Sequence, residues 1–214
     1  MQIAKGKPTD GYIARINRFF SVRISLLISP FEITPNAVTL FSFSISIIGS
    51  ILFLIPTYPA LIIGGILVQL SSILDGCDGE ISRLRMSMSA YGGWLDTTLD
   101  RYSDTIVLLA LGYRILSVNP DLFVYAIVTL AIAGSILTSY SKKEFRIIFG
   151  YEFDYAEKIL HFFDYLRRDA RLFIIFLGCL FNIPLPTIIV VALLTNIQTI
   201  LRLFYEYPKR IFLK

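Results

Sequence analysis

Two short stretches place carboxylates at helical spacing. In ILDGCDGEISR, the residues Asp75, Asp78, Gly79, Ser82 and Arg83 fall within one arc of a helix, while Cys77 points to the other side. In YGGWLDTTLDRYSD, Gly92, Asp96 and Asp100 recur every fourth residue, and Asp104 continues the stripe one turn later. Helices that enter and leave one short connection are neighbours, so these carboxylates come together and repel one another unless cations lie between them. Ligation by oxygen alone suits a hard ion such as Mg²⁺, with Mn²⁺ or Ca²⁺ also open, and no cluster of His or Cys supports zinc. Two metal ions between carboxylates suit phosphate chemistry.

The elements that position these residues are membrane helices. The chain has 214 residues, 55% of them hydrophobic and only 17% charged, and its mean hydropathy is +0.68. Such a composition excludes an ordinary soluble domain and predicts an all-α, polytopic membrane protein. A bilayer core of about 30 Å needs about 20 apolar residues per span. The candidate spans are Pro35 to Ile55, Pro59 to Leu74, Trp94 to Leu116, Asp121 to Tyr140, Leu172 to Phe181 with its flanks, and Pro186 to Leu203. Thr34 and Pro35 suit a helix cap and a first helical position, and PTYP, SVNP and NIPLP serve as tight links. With both termini on the cytoplasmic side, Arg114 alone among the 20 basic residues falls outside, as the positive-inside rule requires. From Pro59, a helix rises about 25 Å to Asp75, which brings that residue to the inner edge of the hydrocarbon. A charge there demands compensation. The expected organisation is residues 1–33 as a cytoplasmic linker and interfacial helix, then residues 34–214 as a six-helix membrane domain.

The preamble TDGYIARINRFFSVRISLLIS places Ile13, Ile16, Phe20, Ile24 and Leu27 at helical spacing, with Asp10 as a candidate cap, and predicts an amphipathic helix lying in the inner interface. It acts as a basic anchor or also shapes the site; the pattern leaves both open. Cys77 and Cys179 form no disulfide framework, and His161 is read as packing rather than as a ligand. Glu80, Arg85, Arg101 and Asp104 are read as solvated surface.

Asp75, Asp78, Gly79, Arg83, Gly92, Asp96 and Asp100 resemble in identity and spacing the signature of the CDP-alcohol phosphotransferase family, DxxDGxxARx8GxxxDxxxD, with Ser82 in place of the usual alanine. The resemblance implies transfer of a substituted phosphate from a CDP-linked alcohol to an acceptor hydroxyl, with release of CMP. It implies that Asp75, Asp78 and Asp96 hold a pair of Mg²⁺ ions, Mn²⁺ being the alternative, on the donor diphosphate. Asp100 joins that metal site and is the candidate general base. Asp75, Gly79, Ser82, Arg83 and Gly92 would meet the donor, and Asn36 and Thr39 resemble the family's nucleotide-facing start of the first span. The family also implies a homodimer in a cell membrane, with the active site at the cytoplasmic face; nothing points to nucleic acid.

The acceptor is less legible. Ser139, Ser141, Lys142 and Lys143 end the fourth span, Arg168 and Arg171 precede the fifth, and Arg202 ends the sixth; such a cluster would suit an acceptor phosphate. The positive-inside rule alone also predicts basic residues at these places. The stretches KPTDGYIARINRFFSVRISLLISPFEITPN and RRDARLF are similar to the membrane part of di-myo-inositol phosphate phosphate synthases, in which a cytidylyltransferase domain precedes the helices. That likeness implies CDP-inositol as donor and inositol 1-phosphate, a phosphorylated polyol, as acceptor. It leaves open a stand-alone synthase or the membrane half of a longer enzyme, with the cytidylyltransferase supplied separately. Two further readings remain: a phospholipid synthase using CDP-diacylglycerol or CDP-archaeol with inositol phosphate, glycerol phosphate or serine, and a non-enzymatic cation transporter. Acids at one membrane edge, with spans one, four and six uncharged in the middle, disfavour the transporter.

Overall fold

The computed structural model describes residues 11–150 and 167–211. Asp10 and His161 lie outside the described residues. Among the described residues there are seven helices and no strand: α1 Tyr12–Ile28, α2 Pro35–Phe53, α3 Tyr58–Leu84, α4 Ala90–Val118, α5 Leu122–Phe149, α6 Arg168–Leu180 and α7 Pro184–Ile211. Four of them, α2, α3, α5 and α7, are long and apolar enough to cross a bilayer. The 29 residues of α4 exceed the length of a span but carry the second acidic stripe, and α6 has only 13 residues. The chain is a helical membrane protein.

The acids do not end the second span at Leu74. Helix α3 continues to Leu84, because each backbone group keeps its partner inside the helix while the side chains find theirs on neighbouring elements. Thr34 caps α2, its hydroxyl accepting from the backbone N–H of Ala37 at 3.3 Å. Ser89 caps α4 in the same way through the N–H of Gly92 at 3.0 Å. Helix α5 ends on Gly150, whose φ of +76° is open to glycine at no steric cost.

Helix α2 lies along α3 and also packs on α4; α5 pairs with α7, and α6 packs on α3 and α7. Phe53, Leu61, Val107, Leu111, Ile175 and Ile188 form the centre of the apolar core. Helices α2 and α3 approach closely at Gly49 and Gly64: a Cβ on Gly64 would lie 2.7 Å from the Gly49 carbonyl oxygen. Far from the aspartates, Arg114 donates to the carbonyls of Ile55 (2.6 Å) and Thr57 (3.1 Å), tying α4 to the α2–α3 link.

Helix α1 runs beside the second half of α3 in the same direction, since Asn17 bonds to Gln69 and Ser72 while Ser25 bonds to Glu80. Its buried face is polar, made of Asn17, Ser21 and Ser25. Ile16, Phe20 and Leu27, from the expected apolar stripe, are exposed, and Ile13 and Ile24 are half-buried. Polar groups gain from pairing inside a membrane protein, whereas apolar groups lose nothing by facing lipid.

Candidate active site

The two acidic stripes meet, although α3 and α4 are not the packed neighbours that their short connection suggests: each packs instead on α2, which is long enough to lie against both. Asp75, Asp96 and Asp100 each present one carboxylate oxygen, and these three atoms lie within 4.8 Å of one another. Asp96 Oδ1 is buried without a hydrogen-bond donor, which leaves an acceptor free for a cation. An orphaned carboxylate oxygen within a set of three carboxylates fits a hard divalent ion ligated by oxygen.

Asp78 lies one turn beyond Asp75 and is buried, but both its oxygens are engaged. Oδ2 accepts from the Thr39 hydroxyl at 2.5 Å and Oδ1 accepts from the N–H of Gly79. Thr39 thus joins the first half of the motif. Asn36 stands beside Gly92, its Oδ1 being 3.1 Å from where a Cβ on that glycine would sit. The Arg83 guanidinium folds over Gly79, with one nitrogen 3.2 Å from a would-be Cβ there. Ser82 is half-buried on the same helix.

Arg168, at the start of α6, is bound to the aspartates. One of its terminal nitrogens is 2.9 Å from both Asp75 Oδ2 and Asp100 Oδ1, and its Nε is 2.9 Å from Asp104 Oδ1. Asp104 also takes Arg171 at 3.2 Å, with Arg101 at 3.8 Å. Reading Asp104 as solvated surface is therefore wrong: it is 3% exposed and is the anion that several guanidiniums share. Its place one turn past Asp100 turns it into the bundle, where only such pairing keeps a charge tolerable. Arg101 likewise belongs to the interior network, donating to Ser139 as well as to Asp100.

Arg202 of α7 donates to the Thr138 carbonyl at 2.5 Å and to the Ser141 hydroxyl at 3.2 Å. A cavity of about 850 Å³ is lined both by Asp75, Asp100 and Arg83 and by Ser139, Lys142, Arg168, Arg171 and Arg202. That volume suits a ligand with two charged groups. Ser141 reaches the site through Arg202, and Lys143 lines the cavity rim.

Glu80 and Arg85 also depart from the surface reading. Glu80 is 2% exposed and accepts from the hydroxyls of Ser21 (2.8 Å) and Ser25 (2.7 Å). Arg85 donates to the carbonyls of Ser29, Phe31 and Ile33, which closes the turn between α1 and α2 onto α3. Sequence reading missed Asn17, Ser21, Ser25 and Glu80 as interior groups. The signal was the match between Asn17-Ser21-Ser25, every fourth residue, and Gln69-Ser72-Gly76-Glu80, a polar and small stripe at helical spacing.

Comparison with known proteins agrees with this geometry. Residues 32–198 match the CDP-alcohol phosphatidyltransferase family model. The bifunctional IPC transferase and DIPP synthase of Thermococcus kodakarensis is 36% identical over 206 residues, which cover 94% of this chain and 45% of that protein. The chain thus spans less than half the length of that relative. The archaetidylinositol phosphate synthase of Pyrococcus horikoshii is 31% identical over 191 residues, 88% of this chain and 91% of that one. Among solved structures, the Mycobacterium tuberculosis phosphatidylinositol phosphate synthase with CDP-DAG bound superposes with a TM-score of 0.70 at 22% identity, covering 87% of this chain and 92% of that chain. The same enzyme in complex with manganese and citrate gives 0.71 at 23% identity, with 86% of this chain and 87% of that chain covered. With the aspartate signature, the converging carboxylates and this match, the chain belongs to the CDP-alcohol phosphatidyltransferase family.

Proposed function

We propose that the protein transfers a substituted phosphate from a CDP-linked alcohol to an acceptor hydroxyl, joining CDP-inositol to inositol 1-phosphate to give di-myo-inositol phosphate phosphate and CMP. The observation that carries this reading is a cavity lined both by Asp75 and Asp100 and by Arg171 and Arg202. Its polar and cationic walls suit a phosphorylated polyol. Asp75, Asp96 and Asp100 would hold Mg²⁺ or Mn²⁺, with Asp78 completing a two-ion site on the donor diphosphate. Bound there, the ions would neutralise the diphosphate and stabilise the charge that develops in transfer. Asp100 accepts the proton of the acceptor hydroxyl as its oxygen bonds to the phosphorus that carries the alcohol. The bond from that phosphorus to the bridging oxygen breaks, and CMP leaves with the oxygen. Arg83, Gly79, Ser82, Gly92, Asn36 and Thr39 receive the nucleotide end; Arg168, Arg171 and Arg202 orient the acceptor phosphate with Ser139, Ser141 and Lys142.

The six spans of the sequence reading remain part of this proposal, with α4 and α6 as the third and fifth. So does a cytoplasmic active site, supported by Arg83, Arg101, Lys142 and Arg167 gathered at the cavity. A second reading, a lipid-linked CDP donor, is favoured by the 91% length coverage of the archaetidylinositol phosphate synthase. The two separate in one assay: CMP release with Mg²⁺ from CDP-inositol or from CDP-diacylglycerol and CDP-archaeol, each with inositol 1-phosphate. A water-soluble product from the first donor supports the polyol reading. Turnover of lipid donors alone replaces it with the second.

A further inference from the structure

We propose that Glu80 is a positioning residue that fastens α1 to α3, and that this clamp sets one wall of the transfer cavity. The family match begins at residue 32, so α1 lies ahead of it. Even so, Ala14, Asn17, Arg18 and Ser21 of α1 line the cavity together with Asp75, Arg83 and Asp100. The seam that holds them there is polar along its length. Gln69 donates to Asn17 at 2.9 Å, Asn17 donates to Ser72 at 3.2 Å, and Ser72 donates to Asp169 of α6 at 3.3 Å. At Gly76 the helices touch, since a Cβ there would meet Ser21 Cβ at 3.3 Å. Glu80 closes the seam with one hydroxyl on each carboxylate oxygen.

Such an arrangement is informative because the other anchors of α1, Ile24 and Ile28 against Leu74, Cys77 and Ile81 and Arg85 on the turn that follows, lie at its C-terminal end, whereas the polar seam runs along the part that lines the cavity. Its outward face is exposed and apolar, gaining as much from lipid as from protein, so polar pairing decides where the helix sits. A carboxylate is the strongest acceptor available for the task, and hydrogen bonds to a charged group exceed those between neutral groups. Glu80 follows Gly79 directly and lies one turn ahead of Arg83 and Leu84, so the clamp fixes α1 against the turn of α3 that carries the motif.

The test rests on the transfer reading for its kinetic arm and is independent of it in its structural arm. Hydrogen exchange across residues 12–28 is compared in the full chain and in Glu80→Ala, beside CMP release under the assay above. Then a Ser21→Cys, Gly76→Cys pair is added in a Cys77→Ser background, since the short Cβ separation allows a disulfide with a small shift. Expected is faster exchange in Glu80→Ala with a fall in kcat/KM of roughly tenfold or more, carried by KM, and recovery to within about threefold of the parent once the tether is oxidised. Reduction of the tether returns the loss. Glu80→Gln keeps the side-chain shape and is expected to lie between the two, so it supplies the same comparison if Glu80→Ala does not fold. Unchanged exchange across residues 12–28 in either variant overturns the clamp. A formed disulfide that leaves activity low overturns the positioning role, because it places Glu80 on the substrate itself. If the parent releases no CMP from any donor, the transfer reading fails and exchange alone decides whether Glu80 holds α1.

Discussion

At one end of the bundle the interior is charged, with Asp104, Arg171, Arg202 and Glu80 all at most 6% exposed. About 20 Å along α3, the other end is closed by Phe53 and Leu61, both fully buried, and by the contact of Gly49 with Gly64. The same helices run through both ends. The apolar end sets backbone spacing by steric contact, which tolerates little change in volume. The charged end sets side-chain direction by pairing, which tolerates little change in charge. Changes at the first should therefore alter stability while sparing chemistry, and changes at the second should alter chemistry, with stability lost as well where a buried charge is left unpaired.

The sharpest test removes one charge at the aspartate centre. Asp96→Asn keeps the side-chain volume and is expected to lower CMP release by about three orders of magnitude or more while the melting temperature stays near the parent value. Chelation with EDTA should abolish turnover and Mg²⁺ should restore it. Mg²⁺ should also raise the melting temperature of the parent, and that rise should shrink in Asp96→Asn. An Asp96→Asn protein that still releases CMP at the parent rate would sink the assignment of the site.

Asp104→Asn tests the pairing one turn past the aspartate centre. Removing one partner of a buried ion pair costs about 3–5 kcal/mol, and Arg168 keeps Asp75 and Asp100, so a loss toward the lower bound is expected. The acceptor KM should rise with it, read from saturation curves; an unchanged acceptor KM would separate Asp104 from the acceptor side. At the apolar end, Gly64→Leu inserts a side chain where a single Cβ already meets the Gly49 carbonyl and the Phe53 ring at 2.7 Å. Overpacking of this kind costs about 1–3 kcal/mol, seen as a lower melting temperature with the kcat/KM of the folded fraction retained. Arg114→Met should give the smallest effect, about 1 kcal/mol or less per lost hydrogen bond to Ile55 and Thr57 and no change in donor specificity. If Arg114→Met instead altered substrate choice, the separation between the two ends would fail.

Much of the charged end was legible before any coordinates. Asp96 and Asp100 share a face as their spacing requires, because residues four apart lie on one side of a helix whatever surrounds it, and Asp75 meets them from α3. Thr39 and Asn36 also came out near the motif. Glu80 and Asp104 did not, because both lie within the same acidic helices and their spacing alone does not say which neighbour each face meets. Arg168 shows the same limit: its place among the basic residues before the fifth span suggested an acceptor-phosphate ligand, whereas its nearest anions are Asp75, Asp100 and Asp104.

Composition and periodicity determined that this chain is a bundle of apolar helices with two acidic faces, since burial in lipid and helical geometry act locally on every stretch of sequence. Which faces meet is a property of several helices at once. Only the tertiary structure decided that α1 turns its serines inward to Glu80, that Asp104 gathers the arginines, and that one cavity joins aspartates to basic residues more than sixty positions away in the chain. The physical reason is that pairing energy depends on the distance between charges, and sequence separation says nothing about that distance.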